Sequence, residues 1–352
     1  MKKKLLFVTF PIDLGSTSFE RRFVEMFDRC SEIDLEVYRF AVSQNHIHPT
    51  SLFTIDYAKQ IWRRVVASKK LHKVVRRANR EGRKILFQGI SPAVFAYPAM
   101  RHDNSYIVTD WTRKLYEPIW GHSSSPSWLT LIHRKVLKSQ KYILGVTDTV
   151  ISEIAKDYNV PGQKLKKVKL PLASDLNMFA PTPQHNDEIR LLFVGGDFSR
   201  KGGDILLDWF VENYRPGLHM TMLTREPKDS HPQVSFINNV HYGQSSHIDI
   251  FRSHDIFVLP TKCDAYPSVL GEAACAGLAV LTTQNALGAP EIVRDCVNGY
   301  IGTSQEDLLD KLARLIKDKP LIETMKRNSR ELMEETFEEK LVLDEYISHI
   351  FD

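Results

Sequence analysis

The chain has 352 residues, 43% of them hydrophobic and 26% charged, which is typical of two ordinary globular domains that each bury a core. No apolar run of about 18 residues predicts a membrane-spanning helix, and the basic start lacks the apolar segment and cleavage site of a signal peptide. The four cysteines are far apart, which argues against a disulfide scaffold or zinc site and favours a cytoplasmic protein.

The net charge of +4 is unevenly distributed along the chain. Residues 1–172 contain 30 Lys and Arg against 15 Asp and Glu, a net charge of +15, whereas residues 173–352 contain 17 against 28, a net charge of −11. This asymmetry indicates that the first half meets an anionic partner, or that the two halves attract each other.

The first half alternates short apolar runs with helical spacing. A turn around Gly15 precedes a predicted helix over residues 17–29. Strands that alternate with helices predict β-α-β units and a doubly wound parallel sheet. The predicted strands are residues 5–10, 35–40, 85–88, 106–108 and 143–146.

Residues 59–84 form a basic segment in which Glu81 is the only acidic residue. Apolar residues recur there at helical spacing, and a basic amphipathic helix with a Trp suits an anionic bilayer surface. A helix packed on its own domain with a solvated charged face explains the same pattern, and no nucleic-acid-binding fold accompanies it. The residues predicted at this membrane or acceptor surface are Trp62, Arg63, Arg64, Lys69, Lys70, Lys73, Arg76 and Arg77.

The second half restarts the pattern after residues 173–188, whose Pro, Asn and Asp content predicts an interdomain linker. Helices are expected at residues 205–214 and 268–276, and residues 305–351 have helical spacing throughout. The predicted strands are residues 189–194, 219–223, 234–237, 256–259 and 279–282.

A glycine-rich turn connects the first strand of this half to its helix. Gly195 and Gly196 would let backbone N–H groups approach an anion, and Arg200 and Lys201 add two positive charges. The turn therefore suits a diphosphate, although a tight turn with two solvated basic residues explains it equally well. It is not a Walker loop, because no G-x-x-x-x-G-K-[ST] match is present.

A second loop follows the strand at residues 256–259 and leads into the helix at 268. Asp264 lies in this loop, and Glu272 lies about one turn into the helix, where its carboxylate could accept two hydrogen bonds from a ribose diol. The first N–H groups of that helix would face phosphate. They belong to Ser268, Val269 and Leu270.

These segments resemble glycosyltransferase family 4, a family of retaining enzymes with the GT-B fold. Asp264 and Glu272 correspond to its E-x7-E signature, with Asp in the first position. Residues 288–293 and 298–300 are similar to the G-x-x-E-I-V and N-G segments that follow, and residues 168–172 and 174–179 to the interdomain passage. The resemblance covers residues 143–305 and is weaker in the first half.

The resemblance implies a role for each of these residues. Glu272 would hold the donor ribose, Arg200 and Lys201 the diphosphate, and Asp264 would lie near the transferred sugar. A loop containing Tyr242 would lie near the base. The family usually has Arg where this chain has Gly196, so one phosphate contact is missing or comes from Arg200.

Two residues of the first half are further candidates. Asp110, in the sequence Thr109-Asp110-Trp111, would contact a sugar or the acceptor, and capping a helix that begins at Trp111 explains it equally well. The related enzymes often have a His where Thr109 stands. Gly15 would let the backbone approach the donor phosphates, and a plain turn glycine is an equal alternative.

No Asp-x-Asp pair occurs in the chain, and metal-dependent glycosyltransferases usually hold the donor through such a pair. Arg200, Lys201 and a helix N-terminus could stabilise the leaving diphosphate instead. We therefore expect neither a metal nor a cofactor. The histidines show no metal-site spacing.

The predicted fold class is α/β, of the GT-B type, with two Rossmann-like doubly wound domains that face each other across a cleft. The first domain would span residues 1–172 and bind the acceptor, and a linker at 173–188 would lead to the nucleotide-sugar domain at 189–335. A C-terminal helix at 336–352 would cross back to the first domain.

The predicted function is transfer of a hexose, with retained configuration, from a nucleotide sugar to a lipid-linked or polysaccharide acceptor. Such enzymes act in bacterial lipopolysaccharide or polysaccharide synthesis, so we expect a peripheral location on the inner face of the membrane. Two alternatives remain: a nucleotide-sugar epimerase of the same architecture, and a non-catalytic scaffold that binds nucleotide or membrane.

Overall fold

The structure, a computed structural model, describes residues 2–10, 14–40, 55–116, 127–181, 188–225 and 232–352. The chain divides into two compact units. The first contains residues 1–171 and 339–352, and the second contains residues 172–338. The corresponding boundaries predicted from the sequence are residues 172 and 336.

The first unit is built on a parallel sheet of six strands. They are β1 (Lys3–Thr9), β2 (Ile33–Arg39), β3 (Lys84–Gln88), β4 (Ser105–Thr109), β5 (Tyr142–Gly145) and β6 (Leu165–Lys167). Their order is β2-β1-β3-β4-β5-β6, so the direction of winding reverses between β1 and β3. Four consecutive apolar residues of β1, from Leu5 to Val8, are fully buried. This is expected for a parallel strand covered by helices on both faces.

Six helices of the first unit connect these strands. They are α1 (Leu14–Asp28), α2 (Ile55–Arg80), α3 (Ile90–Ala96), α4 (Arg113–Tyr116), α5 (Ser127–Ser139) and α6 (Asp148–Asp157). Helix α1 begins three residues before its predicted start, so Gly15 lies in the first helical turn rather than in the preceding turn. Helix α2 ends at Arg80, so Arg83 and Lys84 of the predicted basic segment lie beyond it. The Arg83 guanidinium pairs with Asp34 instead.

The second unit has its own parallel sheet of six strands. They are β7 (Ile189–Val194), β8 (Leu218–Leu223), β9 (Val234–Ile237), β10 (Ile256–Leu259), β11 (Ala279–Thr283) and β12 (Gly299–Gly302). Their order is β12-β11-β10-β7-β8-β9, so the winding reverses between β7 and β10. In open α/β sheets ligands bind at such a reversal, outside the carboxyl ends of the strands.

Seven helices belong to the second unit. They are α7 (Ala173–Met178), α8 (Gly203–Glu212), α9 (Ser245–Arg252), α10 (Ser268–Cys275), α11 (Ala289–Ile292), α12 (Gln305–Leu315) and α13 (Lys319–Phe337). The long helical stretch predicted at residues 305–351 is divided, because Asp318 caps α13 by accepting the Leu321 N–H at 3.0 Å.

Helix α7 corrects the predicted linker. Residues 173–178 are helical and pack on the second unit, where the Leu176 and Met178 carbonyls accept hydrogen bonds from Arg330 and Arg252, each at 2.9 Å. Phe179 is fully buried. Residues 168–172, which resemble the interdomain passage, are not a strand, because β6 ends at Lys167. Residues 182–187 of the predicted linker lie outside the described residues.

The last helix, α14 (Glu339–Phe351), belongs to the first unit. Tyr346 is fully buried, and its ring meets those of Phe23 and Phe27 at 5.4 and 6.2 Å between centroids. The Glu345 carboxylate accepts hydrogen bonds from the backbone N–H and side chain of Lys169. The core of the first unit is therefore completed by the end of the chain.

Candidate active site

The turn that follows β7 is closely packed against its own lysine. A Cβ on Gly195 would lie 2.7 Å from the Phe193 ring and 2.9 Å from Lys201 Cβ, so only glycine lets the Lys201 side chain pass. The Gly195 N–H donates to the Leu223 carbonyl at 2.9 Å. This corrects the prediction that it faces an anion. The neighbouring Gly196 is exposed, and its N–H makes no hydrogen bond within the described residues.

Gly202, the residue before α8, lies against the end of β10. Gly202 has a φ of 80°, and a Cβ there would lie 2.0 Å from the Pro260 carbonyl oxygen at the end of β10. The Lys262 N–H also donates to the Arg200 carbonyl at 2.9 Å. The loops that follow β7 and β10 therefore touch at the reversal of the sheet.

Lys201 and Asp264 are the centre of this contact. The Lys201 ammonium donates to an Asp264 carboxylate oxygen, and both side chains are mostly buried, with 14% and 15% exposed. The backbone of Asp264 pairs with the next loop, since its N–H donates to the Asn285 carbonyl at 3.0 Å and its carbonyl accepts from Leu287 at 2.9 Å. The carboxylate predicted to lie near the transferred sugar is thus held rigidly beside the lysine predicted to bind diphosphate.

Arg200 is held within the same turn. Its Nε donates to Asp197 at 2.8 Å, and its Nη1 donates to the Cys263 carbonyl at 2.8 Å. The Asp264 carboxylate lies 3.8 Å from the same Nη1 atom. Arg200 therefore adds positive potential to the site while much of its hydrogen-bonding capacity is already used.

The pKa of Lys201 is unusually low for a lysine. Burial, and next the positive charge of Arg200, lower the pKa of Lys201 to about 7. An anion bound at this turn would favour the protonated form and raise the pKa again. Lys201 can therefore gain a proton when a diphosphate binds.

Glu272 lies on α10 with only 3% of its surface exposed. One of its carboxylate oxygens lies 3.7 Å from Nε2 of His247, which is also buried. We did not anticipate His247, because its sequence position on an amphipathic helix gives no sign of a partner 25 residues away. The pair places a histidine next to the carboxylate predicted to bind ribose.

Tyr242 lies in the same neighbourhood. Its ring meets the His247 ring at 5.4 Å and the Phe179 ring at 6.2 Å between centroids. Its hydroxyl donates to the carboxylate of Asp175, a fully buried residue of α7. The segment predicted as a linker therefore supports the loop predicted to lie near the base.

The N-terminus of α10 presents two of the three predicted N–H groups. The Leu270 N–H donates to the Pro267 carbonyl at 3.0 Å, which corrects the prediction that it faces phosphate. The N–H groups of Ser268 and Val269 have no hydrogen-bond partner among the described residues. The helix N-terminus thus has two donors available for an anion.

Asp110, a candidate in the first unit, has neighbours that make local hydrogen bonds. The Thr109 hydroxyl donates to the Trp111 carbonyl at 2.7 Å and accepts from the Trp111 N–H at 3.3 Å. The helix that follows begins at Arg113 and is capped by Thr112, which accepts the Leu115 N–H at 3.2 Å. The capping role considered for Asp110 is therefore wrong, and Asp110 lies half-buried just past β4.

Helix α2 displays its basic residues on an exposed face. Trp62 is 67% exposed, and Val65 and Val66 are also exposed. Leu71 and Val75 on the opposite face are fully buried. Arg77 is exposed but pairs with Glu36, and the side chain of Arg64 lies outside the described residues. The other exposed basic residues of the predicted surface are Arg63, Lys69, Lys70, Lys73 and Arg76.

The described residues contain no group of three or more His, Cys, Asp or Glu side chains placed to hold a metal ion. Among the same residues, no helix is both long and apolar enough to cross a membrane.

Comparison with known proteins bears on the second unit directly. Residues 176–332 match the family model described as "Glycosyl transferases group 1". The second unit contains a group 1 glycosyl transferase domain. The predicted resemblance to glycosyltransferases is confirmed at this level, and assignment to family 4 stays a prediction.

Two curated proteins are similar to parts of this chain. Lipopolysaccharide glucosyltransferase WaaG of Escherichia coli is 26% identical over 216 residues, covering 55% of this chain and 57% of that protein. Capsular polysaccharide biosynthesis glycosyltransferase CapM of Staphylococcus aureus is 31% identical over 119 residues, 32% of this chain and 29% of that protein. The chain thus spans just over half of the first relative and less than a third of the second.

Solved structures resemble this chain over nearly its whole length. Sucrose-phosphate synthase of Thermosynechococcus elongatus has a TM-score of 0.75 at 13% identity, covering 99% of both chains. Anabaena Alr3699/HepE in complex with UDP-glucose has a TM-score of 0.70 at 14% identity, covering 98% of both. The predicted α/β fold with two Rossmann-like domains of the GT-B type is confirmed. The cleft between the domains stays a prediction.

Proposed function

We propose that this protein is a retaining, metal-independent glycosyltransferase that takes a sugar from a nucleoside-diphosphate sugar. The observation that carries the proposal is the contact of Lys201 with Asp264 at the reversal of the second sheet. Cations there suit a diphosphate, and the carboxylate suits the polar face of a sugar. The match of residues 176–332 to group 1 glycosyl transferases supports the same chemistry.

The donor would occupy the carboxyl edge of the second sheet. Its diphosphate would receive hydrogen bonds from Lys201 and from the Ser268 and Val269 N–H groups, and its ribose would bind the Glu272 carboxylate. Lys201 has three N–H donors, so it can keep Asp264 as a partner while it binds a phosphate oxygen. Tyr242 would lie near the base. UDP-glucose bound to Anabaena Alr3699/HepE supports testing uridine donors first.

The transfer step would involve only the donor and the acceptor as reactants. The bond between the anomeric carbon and the diphosphate oxygen breaks, and a bond from that carbon to the acceptor oxygen forms on the same face. The acceptor proton passes to the leaving diphosphate. Lys201 and the α10 N-terminus would stabilise the charge that develops on this group, the role a metal ion fills elsewhere.

The acceptor is proposed to be lipid-linked or a polysaccharide, met at an anionic membrane surface through helix α2. Its exposed Trp62, Val65 and Val66 adjoin a row of exposed basic side chains. This combination suits the interface of an anionic bilayer, where each basic residue contributes about 1 kcal/mol. Asp110 and Gly15 are retained as candidate contacts to the acceptor and donor, respectively.

A thermal-shift panel tests the donor site. Nucleoside diphosphates and nucleotide sugars are added with EDTA to the wild type, Glu272→Gln and Glu272→Ala. A ligand at 100 times its Kd stabilises the fold by about 2.7 kcal/mol. We expect a shift for one base that both variants lose while remaining folded. No shift for any ligand with the folded wild type would overturn the proposal.

A further inference from the structure

An arginine outside the β7–α8 turn lies against its exposed glycine. A Cβ on Gly196 would lie 3.5 Å from Cδ and 3.8 Å from Nε of Arg225. The Arg225 side chain therefore runs alongside Gly196 in ordinary van der Waals contact. Since Arg225 is exposed, its side chain is accessible from solvent next to Gly196.

Arg225 has fewer partners than Arg200 and Lys201, the two cations predicted to bind the diphosphate. Arg200 is engaged by Asp197 and the Cys263 carbonyl, and Lys201 is engaged by Asp264. Within the part of the chain that the structure describes, Arg225 makes no hydrogen bond or ion pair. An anion at this edge thus meets one guanidinium whose donors remain available.

Strand order explains why Arg225 is in this place. It lies two residues beyond the end of β8, and β8 flanks β7 on the side opposite β10. The parallel strands bring their carboxyl ends to one edge, so loops from β8, β7 and β10 lie side by side. Lys201 therefore lies against Gly195, and Arg225 lies against Gly196.

We infer that Arg225 binds the donor diphosphate and supplies the positive charge that position 196 lacks. This inference rests on the proposed function. The planar guanidinium can donate two parallel hydrogen bonds to phosphate oxygens, with the Gly196 N–H as a neighbouring donor. A residue of the loop after β8 thereby supplies the phosphate contact that glycine at position 196 cannot make.

If Arg225 supplies this positive charge, a guanidinium placed at position 196 should replace it. Gly196 does not have a left-handed φ, and a Cβ there meets nothing closer than 3.5 Å. A side chain at position 196 is therefore compatible with the backbone. Gly196→Arg in an Arg225→Ala background would bring a guanidinium back to the same edge.

The test measures Kd by isothermal titration calorimetry for UDP, GDP and ADP, with EDTA. For the nucleotide that binds the wild type, we expect Arg225→Ala to weaken binding about 10- to 100-fold, the effect of one charged hydrogen-bonding group. Arg225→Ala/Gly196→Arg should recover most of the loss. Lys317→Ala, which removes an exposed charge from another surface, should leave the Kd unchanged.

The outcomes separate the inference from the function on which it rests. Binding by Arg225→Ala within twofold of the wild type would overturn the inference and leave the donor site intact. A double variant that binds as weakly as Arg225→Ala would also contradict it, provided that thermal melts show the variant to be folded. Absence of binding by the folded wild type would overturn the function and the inference together.

Discussion

At the scale of single residues, Lys201 and Asp264 form an ion pair. From the sequence, Lys201 is predicted to bind the diphosphate and Asp264 to lie near the transferred sugar. Asp264 partly neutralises the cation that would bind the diphosphate, and it is itself held by backbone hydrogen bonds to the loop after β11. The carboxylate therefore opposes binding of the diphosphate alone, and under the proposed function it would contact the sugar.

Asp264→Asn separates these effects. Loss of the negative charge should tighten binding of the free nucleoside diphosphate severalfold, because Lys201 and Arg200 are no longer neutralised. Sugar transfer should fall about 100-fold or more, since a contact to the reacting sugar is lost. Calorimetry and initial rates measure the two quantities. Weaker diphosphate binding with unchanged transfer would show that the carboxylate acts only as a structural partner.

The lowered pKa of Lys201 predicts proton uptake on binding. Below about pH 7 the free lysine is already protonated, so the affinity for a nucleotide sugar is fully present there. As the pH rises above 7, the free protein loses this proton while the complex keeps it, and the affinity falls. Calorimetry in buffers of different ionisation enthalpy counts the proton. Lys201→Met should bind weakly at every pH, and a steep profile in this variant would assign the titration to another group.

At the scale of elements, α14 completes the core of the first unit through Tyr346. Replacing this buried ring with Ala should destabilise the unit by about 3–5 kcal/mol, since large aromatic truncations leave a cavity. Tyr346→Phe is the matched control, because it keeps the ring and removes the hydroxyl that donates to the Lys169 carbonyl, and it should cost about 1 kcal/mol. Urea unfolding measures both. Equal effects would show that the ring packing contributes little.

The helices and strands also show which parts of the fold can be predicted from sequence patterns. The strands at 189–194, 234–237 and 256–259 were predicted with the bounds observed, because their apolar runs end at glycine, asparagine or proline. Helix α7 was missed because Pro, Asn and Asp around residues 173–188 resemble a linker, whereas tertiary hydrogen bonds from Arg252 and Arg330 hold it. Contacts distant in sequence decided that segment.

The same limit applies to the candidate site. Lys201, Asp264 and Glu272 could be selected because each lies next to a strand end or helix start, which a sequence reveals. His247, Asp175 and Arg225 could not, because their importance arises from packing against residues 20 to 70 positions away. The sequence also does not reveal which backbone N–H groups can bind an anion, because those of Gly195 and Leu270 donate to backbone carbonyls.

At the scale of the whole molecule, the charge asymmetry and the exposed face of α2 predict binding to anionic vesicles. Lys69→Gln/Lys70→Gln/Lys73→Gln should weaken binding to phosphatidylserine-containing vesicles about 100-fold, from about 1 kcal/mol for each charge. The matched control, Lys317→Gln/Lys319→Gln/Lys340→Gln, removes the same charge from other exposed positions. Vesicle sedimentation compares them. Equal losses would assign binding to net charge rather than to α2.

The fate of the donor shows whether the protein transfers a sugar. The folded protein is incubated in EDTA with the nucleotide sugar that the binding panel identifies, with and without a membrane glycolipid extract, and products are followed by NMR. We predict release of the nucleoside diphosphate that depends on the extract, and a glycosidic product with the donor's anomeric configuration. Conversion of the donor to an epimer without release, or no consumption by folded protein, would contradict the account.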